Sequence, residues 1–300
     1  MAKILRGMSQ DGSARILVIN STDIVNAAIG FHRTTPTASA ALGRLLTGTA
    51  MVASLMGEQK NRITFNIQGE GPIGKLIAIG DYYGNVKGYI ENPMADVPPK
   101  KNGKLDVGAA VGRGTLTVIR EDGVGSEPHI GTVMLQSGEI AEDITRYFAE
   151  SEQIPTLCAL GVTVDRDYTC LAAGGVLVQL LPFADEGVIA RLEENAGALY
   201  DISRHFAAGM TNEEIAALAM KDIPFDIFDE LDCAYKCDCG RERMLSAIGR
   251  VGESEIRSML DEEEAEGHGR TLEAVCRFCN SAYRFGEEEL LRAAARIAKK

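Results

Sequence analysis

Features that direct a protein to a membrane or out of the cell are missing from this 300-residue chain. Its N-terminus, MAKILRGMSQDG, has no apolar signal-peptide core, so we expect a cytoplasmic protein. A membrane-spanning helix needs about 20 strongly apolar residues. The longest weakly polar run, Pro36–Met56, contains Arg44 and many Thr, Ser and Gly residues. That run predicts a small-residue helix inside a protein core, and no membrane partner is expected.

Recognisable catalytic motifs are missing as well. The chain has no Walker loop, G-x-S-x-G elbow or H-E-x-x-H motif, and His32, His129, His205 and His268 lack metal-ligand spacing. The segment GEGPIG, Gly69–Gly74, matches the letters of G-x-G-x-x-G. A dinucleotide site needs a helix directly after that motif, whereas here the strand-like KLIAIG follows. We therefore predict a turn at this segment and no enzyme activity for the chain.

Positive charge is scarce in one part of the chain. The net charge is −12, and residues 184–232 carry three basic and twelve acidic side chains. Such a surface would repel a phosphate backbone, so nucleic acid is not an expected partner. Apolar residues are sparse there but have helical spacing, and Thr211 with Glu214 forms a capping-box pattern. The stretch predicts a marginally stable, acidic helical linker.

The apolar pattern as a whole predicts an α+β protein in three parts. Residues 1–183 mix strand-like and helix-like segments, which indicates an α/β domain with a hairpin at its start and a helix that begins after Thr35. Residues 184–232 are the helical linker. Residues 233–300 are too few for a large core and predict a small zinc-binding domain stapled by cysteines, with a closing helix from Gly286 to Lys299.

Two cysteine pairs carry the strongest chemical signal. CDC at Cys237–Cys239 and CRFC at Cys276–Cys279 give a C-x-C and a C-x-x-C motif. Zinc prefers four soft ligands in a tetrahedron, and two close pairs supply them as thiolates. We predict one Zn²⁺ per chain on Cys237, Cys239, Cys276 and Cys279. Seven cysteines in a cytoplasmic protein also favour metal or redox chemistry over structural disulfides.

The spacing alone leaves the role of this zinc site open. An architectural zinc ribbon fits it, and so does a redox sensor. The C-x-C motif favours the sensor, because its disulfide would close a small, strained ring and zinc keeps the thiols as oxidisable thiolates. Cys233 is close enough in sequence to compete as a ligand, but it is predicted to be a half-buried bystander. Cys158 and Cys170 lie in apolar runs and are predicted core residues.

Seven segments, in the same order along the chain, form a specific pattern: PTASAALGR (Pro36–Arg44), GEGPIG (Gly69–Gly74), GKLDV (Gly103–Val107), SEQIP (Ser151–Pro155), LAAGG (Leu171–Gly175), CDCGRER (Cys237–Arg243) and AVCRFC (Ala274–Cys279). On these segments, the chain resembles the heat shock protein 33 family of redox-regulated bacterial chaperones over nearly its whole length. The chain departs from the family in an acidic stretch between the cysteine pairs, Asp261–Glu273, which we interpret as a longer loop.

The resemblance implies an ATP-independent holdase that binds unfolding proteins under oxidative stress. It implies that residues 1–183 bind substrates and dimerise, and that the reduced form is an inactive, zinc-bound monomer. Oxidation would form Cys237–Cys239 and Cys276–Cys279 disulfides, release zinc, unfold the switch region and yield a homodimer. The alternatives are a constitutive zinc-ribbon adaptor that binds a fixed protein partner, and a thiol oxidoreductase.

Overall fold

The structure is a computed structural model that describes residues 1–298. Lys299 and Lys300, which the sequence places at the end of the closing helix, lie outside the described residues. The chain divides into two compact units, Met1–Lys236 and the residues from Cys237 onward. The assignment of separate roles to residues 1–183, 184–232 and 233–300 stays a prediction.

Strands and helices alternate irregularly along the chain. The strands are β1 (Ala2–Ser9), β2 (Ala14–Asn20), β3 (Arg62–Gly69), β4 (Lys75–Asp81), β5 (Val86–Ile90), β6 (Gly114–Glu121), β7 (His129–Met134), β8 (Thr156–Val164), β9 (Cys170–Leu180), β10 (Phe225–Cys233), β11 (Thr271–Val275) and β12 (Ala282–Gly286). The α-helices are α1 (Thr22–His32), α2 (Pro36–Ala53), α3 (Val107–Val111), α4 (Ala141–Tyr147), α5 (Glu186–Ala196), α6 (Ile202–Ala207), α7 (Asn212–Ala219), α8 (Arg241–Gly249), α9 (Glu253–Ala265) and α10 (Glu287–Ala298).

Two antiparallel five-stranded sheets build the first unit. One has the strand order β10-β1-β2-β9-β8, and the other has the order β5-β4-β3-β6-β7. Helix α2 packs against β8 and β9 of the first sheet and against β4 and β5 of the second, and nearly all its residues are buried. Its Ala, Gly and Thr side chains are small enough for this close approach. Thr35 caps the helix and Pro36 is its first residue, which confirms the predicted start.

The predicted hairpin and the predicted turn are both present. Strands β1 and β2 pair in antiparallel register, with Ile4 opposite Ile19. The segment Gly69–Gly74 joins β3 to β4, so a strand follows it and the dinucleotide interpretation fails. Gly71 donates a backbone hydrogen bond to Val111 O at 2.8 Å, and a Cβ at Gly71 would collide with the backbone of α3. This close approach explains the need for glycine at that position.

The segment predicted as a helical linker contains helices α5, α6 and α7, and it buries more apolar side chains than its sparse apolar pattern predicted. These helices and the turns around them bury Leu192, Leu199, Ile202, Phe206, Ile215, Ala216, Ala219, Met220 and Ile223. The residues pack on one face of the first sheet, against Leu5, Ile16, Val18, Ala172, Val176 and Val178. The linker therefore covers an apolar sheet face that would otherwise contact water.

The last eight residues of the predicted helical linker, 225–232, belong to a strand. Residues Phe225–Cys233 form β10, which pairs along the whole of β1 at the edge of the first sheet. Most β10 side chains point to solvent, so the helix–strand choice could not be made from apolar spacing. Beyond β10, the chain is attached to β5: Lys236 N–H donates to Val86 O at 2.8 Å, and the Tyr235 hydroxyl donates to Gly88 O at 2.7 Å.

The second unit has a small core between α8, α9, α10 and the β11–β12 hairpin. Its buried apolar side chains are Ile256, Leu260, Leu272, Phe285, Leu290 and Ala294. The acidic stretch Asp261–Glu273 is not one loop, because α9 extends to Ala265 and β11 begins at Thr271. No helix within residues 1–298 is long and apolar enough to cross a bilayer.

One arginine holds much of the acidic stretch in place. Arg270 forms ion pairs with Asp261 at 2.6 Å, Glu264 at 2.8 Å and Glu287 at 2.7 Å. It thereby connects the end of α9 to the start of α10 and compensates part of the local negative charge. Because these groups are partly exposed, each pair contributes modestly to stability.

Candidate metal centre

Both cysteine pairs lie in the second unit, and the structure brings all four thiols together. Cys237 and Cys239 lie in the extended segment before α8, and Cys276 and Cys279 lie in the turn between β11 and β12. The four Sγ atoms all lie within 4.8 Å of one another. These are the four residues that the spacing predicted as ligands.

The turn that carries Cys276 and Cys279 is held by backbone hydrogen bonds. Cys276 N–H donates to Ser281 O at 3.0 Å, and Asn280 N–H donates to Cys276 O at 2.8 Å. Asn280 has a φ of 54°, a left-handed conformation that asparagine adopts more readily than most residues. The tight turn points both sulfurs to one side of the hairpin end, as metal-binding knuckles require.

The sulfur separations fit a tetrahedral metal ion. Cys237 Sγ lies 3.7 Å from Cys276 Sγ, and Cys239 Sγ lies 3.3 Å from Cys279 Sγ. A Zn–S bond of about 2.3 Å places neighbouring sulfurs of a tetrahedron about 3.8 Å apart. A disulfide would bring them to about 2 Å, and all seven cysteines are free thiols here. The cluster can therefore hold a metal ion, and the soft donor set suits zinc.

Two hydroxyl groups contact this sulfur cluster. The Tyr283 hydroxyl lies 3.3 Å from Cys239 Sγ, and Ser281 Oγ lies 3.3 Å from Cys279 Sγ. Sequence reasoning missed both residues. Their positions two and four residues after Cys279 were a weak signal. Whether their hydroxyl groups contact the sulfurs depends on the register of the hairpin.

The pKa values of the cluster thiols indicate that they need a nearby positive charge to be thiolates. Burial raises the pKa of Cys237 and of Cys239. Burial acts in the same direction on Cys279, but side-chain and backbone hydrogen bonds with Ser281 outweigh it and lower the pKa of Cys279 to about 7. The contact with Cys239 raises the pKa of Tyr283 to about 12. A bound divalent cation would supply the positive charge that four neighbouring thiolates require.

The remaining cysteines lie outside this cluster. Cys233 is fully buried in β10, opposite Ala2 of β1, so it belongs to the first unit and is more buried than predicted. Cys170 is buried, and Cys158 is partly buried against the core, in line with their predicted packing role. Burial raises the pKa of each of these three thiols to about 12, which makes them poor nucleophiles at neutral pH.

Histidine takes no part in the cluster. The potential metal ligands that come together within residues 1–298 are four cysteines and no histidine. His268 hydrogen-bonds Glu263 at 3.0 Å through Nδ1, and His205 lies 2.8 Å from Ala198 O through Nε2. His32 is buried beside Gly88 O, and His129 is exposed in β7. This matches the prediction that the histidines are dispersed.

Fold and site together define a class of protein. It has a mixed α/β unit with a helix-covered sheet, followed by a small unit with a cluster of four thiols that could hold a metal ion. Comparison with known proteins assigns the chain within that class. The family model described as "Hsp33 protein" matches residues 2–286. The chain belongs to the Hsp33 family, and this membership supports a chaperone function.

Individual relatives agree with this assignment over the full length. The 33 kDa chaperonin of Alkaliphilus metalliredigens is 41% identical over 290 residues, covering 96% of this chain and 97% of the relative. That of Lachnoclostridium phytofermentans is 42% identical over 287 residues, with 96% of each covered. The crystal structure of the 33 kDa chaperonin (heat shock protein 33 homolog) from Thermotoga maritima superposes with a TM-score of 0.88 at 32% identity, covering 99% of both chains. The mixed α/β fold is thus that of Hsp33.

Proposed function

We propose that this protein is a redox-regulated, ATP-independent holdase of the cytoplasm, which binds unfolding proteins under oxidative stress. The observation that carries the proposal is the cluster of four Sγ atoms within 4.8 Å in a member of the Hsp33 family. In the reduced state, Cys237, Cys239, Cys276 and Cys279 hold one Zn²⁺. The ion supplies charge that keeps four thiolates together, and no catalytic role is assigned to the chain.

Zinc also supplies stability that the second unit lacks. The core of that unit is small, and structural zinc contributes on the order of 10–16 kcal/mol to the folding of modules of this kind. Loss of the ion is therefore proposed to unfold the part of the switch region, 233–300, that lies in the second unit, from Cys237 onward. The acidic linker, 184–232, would then lose the folded neighbour that follows it in the chain.

Peroxide would oxidise the cluster in two steps for each disulfide. One thiolate attacks H₂O₂, giving a sulfenic acid and hydroxide, and a second thiolate displaces hydroxide from that sulfur to form the disulfide. Two peroxides thus oxidise four thiolates to two disulfides, and Zn²⁺ leaves with its ligands consumed. The proposed pairs, Cys237–Cys239 and Cys276–Cys279, follow the family resemblance. In the fold, sulfurs of different pairs lie 3.7 Å and 3.3 Å apart, so peptide mapping of the oxidised protein must test this pairing.

The surface that clients would bind lies under the linker helices. Release of α5, α6 and α7 would expose the sheet face formed by Leu5, Ile16, Val18, Ala172, Val176 and Val178. A contiguous apolar patch on a folded sheet binds exposed apolar segments of other proteins. We assign client binding and dimerisation of the oxidised form to residues 1–183.

The test is aggregation of a heat-denatured client protein, measured with reduced and with peroxide-treated chaperone. The proposal predicts suppression only after oxidation, loss of that response in Cys239→Ser, and a normal response in Cys158→Ser, whose thiol lies outside the cluster. Redox-independent binding of one partner would favour the adaptor. Turnover of a disulfide substrate would favour the oxidoreductase.

A further inference from the structure

A tyrosine connects the two halves of the thiol cluster. Tyr283 lies in β12, paired with Ala274 of β11, on the hairpin that carries Cys276 and Cys279. Its hydroxyl contacts Cys239 Sγ, which belongs to the other cysteine pair, at 3.3 Å. The ring packs against the core of the second unit, so the hydroxyl is held in position by the same contacts that fold the hairpin.

The direction of this hydrogen bond follows from the protonation state. A thiolate has no proton to donate, so the Tyr283 hydroxyl must be the donor to Cys239 in the zinc-bound form. Hydrogen bonds to an anion draw electron density from it and stabilise its charge. The sulfur of Cys239 is therefore less electron-rich than it would be without the tyrosine.

That effect has one consequence for oxidation. Thiol reactivity depends on the thiolate fraction and on the intrinsic nucleophilicity of the sulfur, which falls as the anion is stabilised. A zinc-bound cysteine is already fully deprotonated. The hydrogen bond can therefore change only the nucleophilicity of the sulfur, not the thiolate fraction. A donated hydrogen bond should then slow attack on peroxide rather than accelerate it.

We propose that Tyr283 is a positioning residue that holds Cys239 and slows its oxidation, and thereby sets the peroxide dose at which zinc is released. This inference rests on the proposed function, because it concerns the sensitivity of the same switch. The reaction that it slows is attack of the Cys239 sulfur on H₂O₂. A sulfur–oxygen bond forms, hydroxide leaves, and a neighbouring thiolate completes the disulfide.

The experiment measures zinc release from the full-length, reduced, zinc-loaded protein after H₂O₂ is added, with a chromogenic chelator as the readout. Tyr283→Phe keeps the ring and removes the hydroxyl, and we expect release to become roughly three- to tenfold faster. Tyr168→Phe is the matched control, since Tyr168 is exposed in the turn between β8 and β9, and it should release zinc at the wild-type rate.

A second readout separates this role from a purely structural one. In the Co²⁺-substituted protein, loss of the hydrogen bond should move the sulfur-to-cobalt charge-transfer absorption to lower energy in Tyr283→Phe but not in Tyr168→Phe. An unchanged or slower release rate in Tyr283→Phe would overturn the inference, and so would failure of that variant to bind zinc in reducing buffer. If the wild-type protein itself retains zinc under peroxide, the proposed function is wrong. If the wild-type protein releases zinc but Tyr283→Phe is no faster, only the inference about Tyr283 is wrong.

Discussion

Arg6 and Asp229 form a bidentate ion pair that joins the first strand of the first unit to its last. Arg6 Nε lies 2.8 Å from Asp229 Oδ1, and Arg6 Nη2 lies 2.5 Å from Asp229 Oδ2. Arg6 Nη1 also donates to Ser54 O, just after α2, at 3.0 Å. The pair fastens β10, the end of the linker, to β1 of the sheet that the linker covers.

Replacement of this arginine should loosen β10 in the reduced protein. Arg6→Gln removes the paired hydrogen bonds from the guanidinium group to the Asp229 carboxylate. Because the ion pair is partly exposed, we expect the free energy of unfolding to fall by about 1 kcal/mol or less. Hydrogen exchange of the Phe225–Cys233 amides should rise, while exchange in β2 stays unchanged. Arg166→Gln, in the exposed turn between β8 and β9, is the control. If the β10 amides are equally protected from hydrogen exchange in both variants, the backbone hydrogen bonds between β1 and β10 are sufficient to hold this strand.

Glu139 should make part of the stability of the first unit depend on pH. Burial alone would raise the pKa of Glu139, but Lys100 and Arg44, each 2.5 Å away, outweigh it and lower the pKa below its usual value. A carboxyl group whose pKa is lower in the folded state contributes stability above its unfolded pKa, about 4.3. That contribution is lost as the pH falls through the lower folded pKa.

The matching variant is Glu139→Gln, which leaves two cations without their shared carboxylate. Near pH 6 we expect it to lose about 2 kcal/mol of unfolding free energy. The difference from wild type should shrink as the pH falls below about 4. Urea unfolding followed by circular dichroism at each pH measures the difference in unfolding free energy. Glu142→Gln, at an exposed neighbouring residue, is the control. A difference that does not change with pH would contradict the assigned cause.

The parts of the fold that were predicted correctly have local signals in the sequence. Thr35 before Pro36 marks the start of α2, and Thr211 with Glu214 forms the predicted capping box at α7. Strand β10 has no such signal. It is defined by pairing with β1 more than two hundred residues earlier, and most of its side chains face water. Non-local backbone pairing of an exposed strand leaves little trace in apolar periodicity.

In the thiol cluster too, residues with a local sequence signal could be predicted and residues placed by the fold could not. Ligand spacing in the sequence was sufficient to find the four cysteines, because two close pairs need only be brought together. Tyr283 could not be found in this way, since its contact with Cys239 crosses between the two pairs and depends on how the hairpin folds against the segment before α8. Burial of the linker was underestimated because Ile202, Phe206, Met220 and Ile223 lie in a short helix or just after one, outside a long helical stripe.

Phe206 should be a main attachment point of the linker. It is buried in α6 and packs over Gly174, where any Cβ would collide with its ring. Phe206→Ala should cost about 3–4 kcal/mol of local stability. We expect faster hydrogen exchange across α5–α7 and partial suppression of client aggregation by the reduced protein. Phe228→Ala, an exposed phenylalanine of β10, should do neither. Full linker protection in Phe206→Ala would show that the linker does not depend on this contact.

Zinc content should separate the ligand cysteines from the buried one. Cys276→Ser removes a member of the cluster and should lower the zinc content of the reduced protein from about one per chain to about zero. Cys233→Ser should still bind about one zinc, because Cys233 lies in β10 and outside the cluster. Metal analysis of the purified variants measures both. Loss of zinc in Cys233→Ser would overturn the assignment of ligands.

Zinc loss by oxidation is proposed to turn on client binding. The most direct measurement is a peroxide titration in which zinc release and suppression of client aggregation are recorded on the same samples. We expect suppression to rise in proportion to the zinc released, and we expect both to be absent in the reduced protein. Full suppression in samples that still hold about one zinc per chain would contradict it.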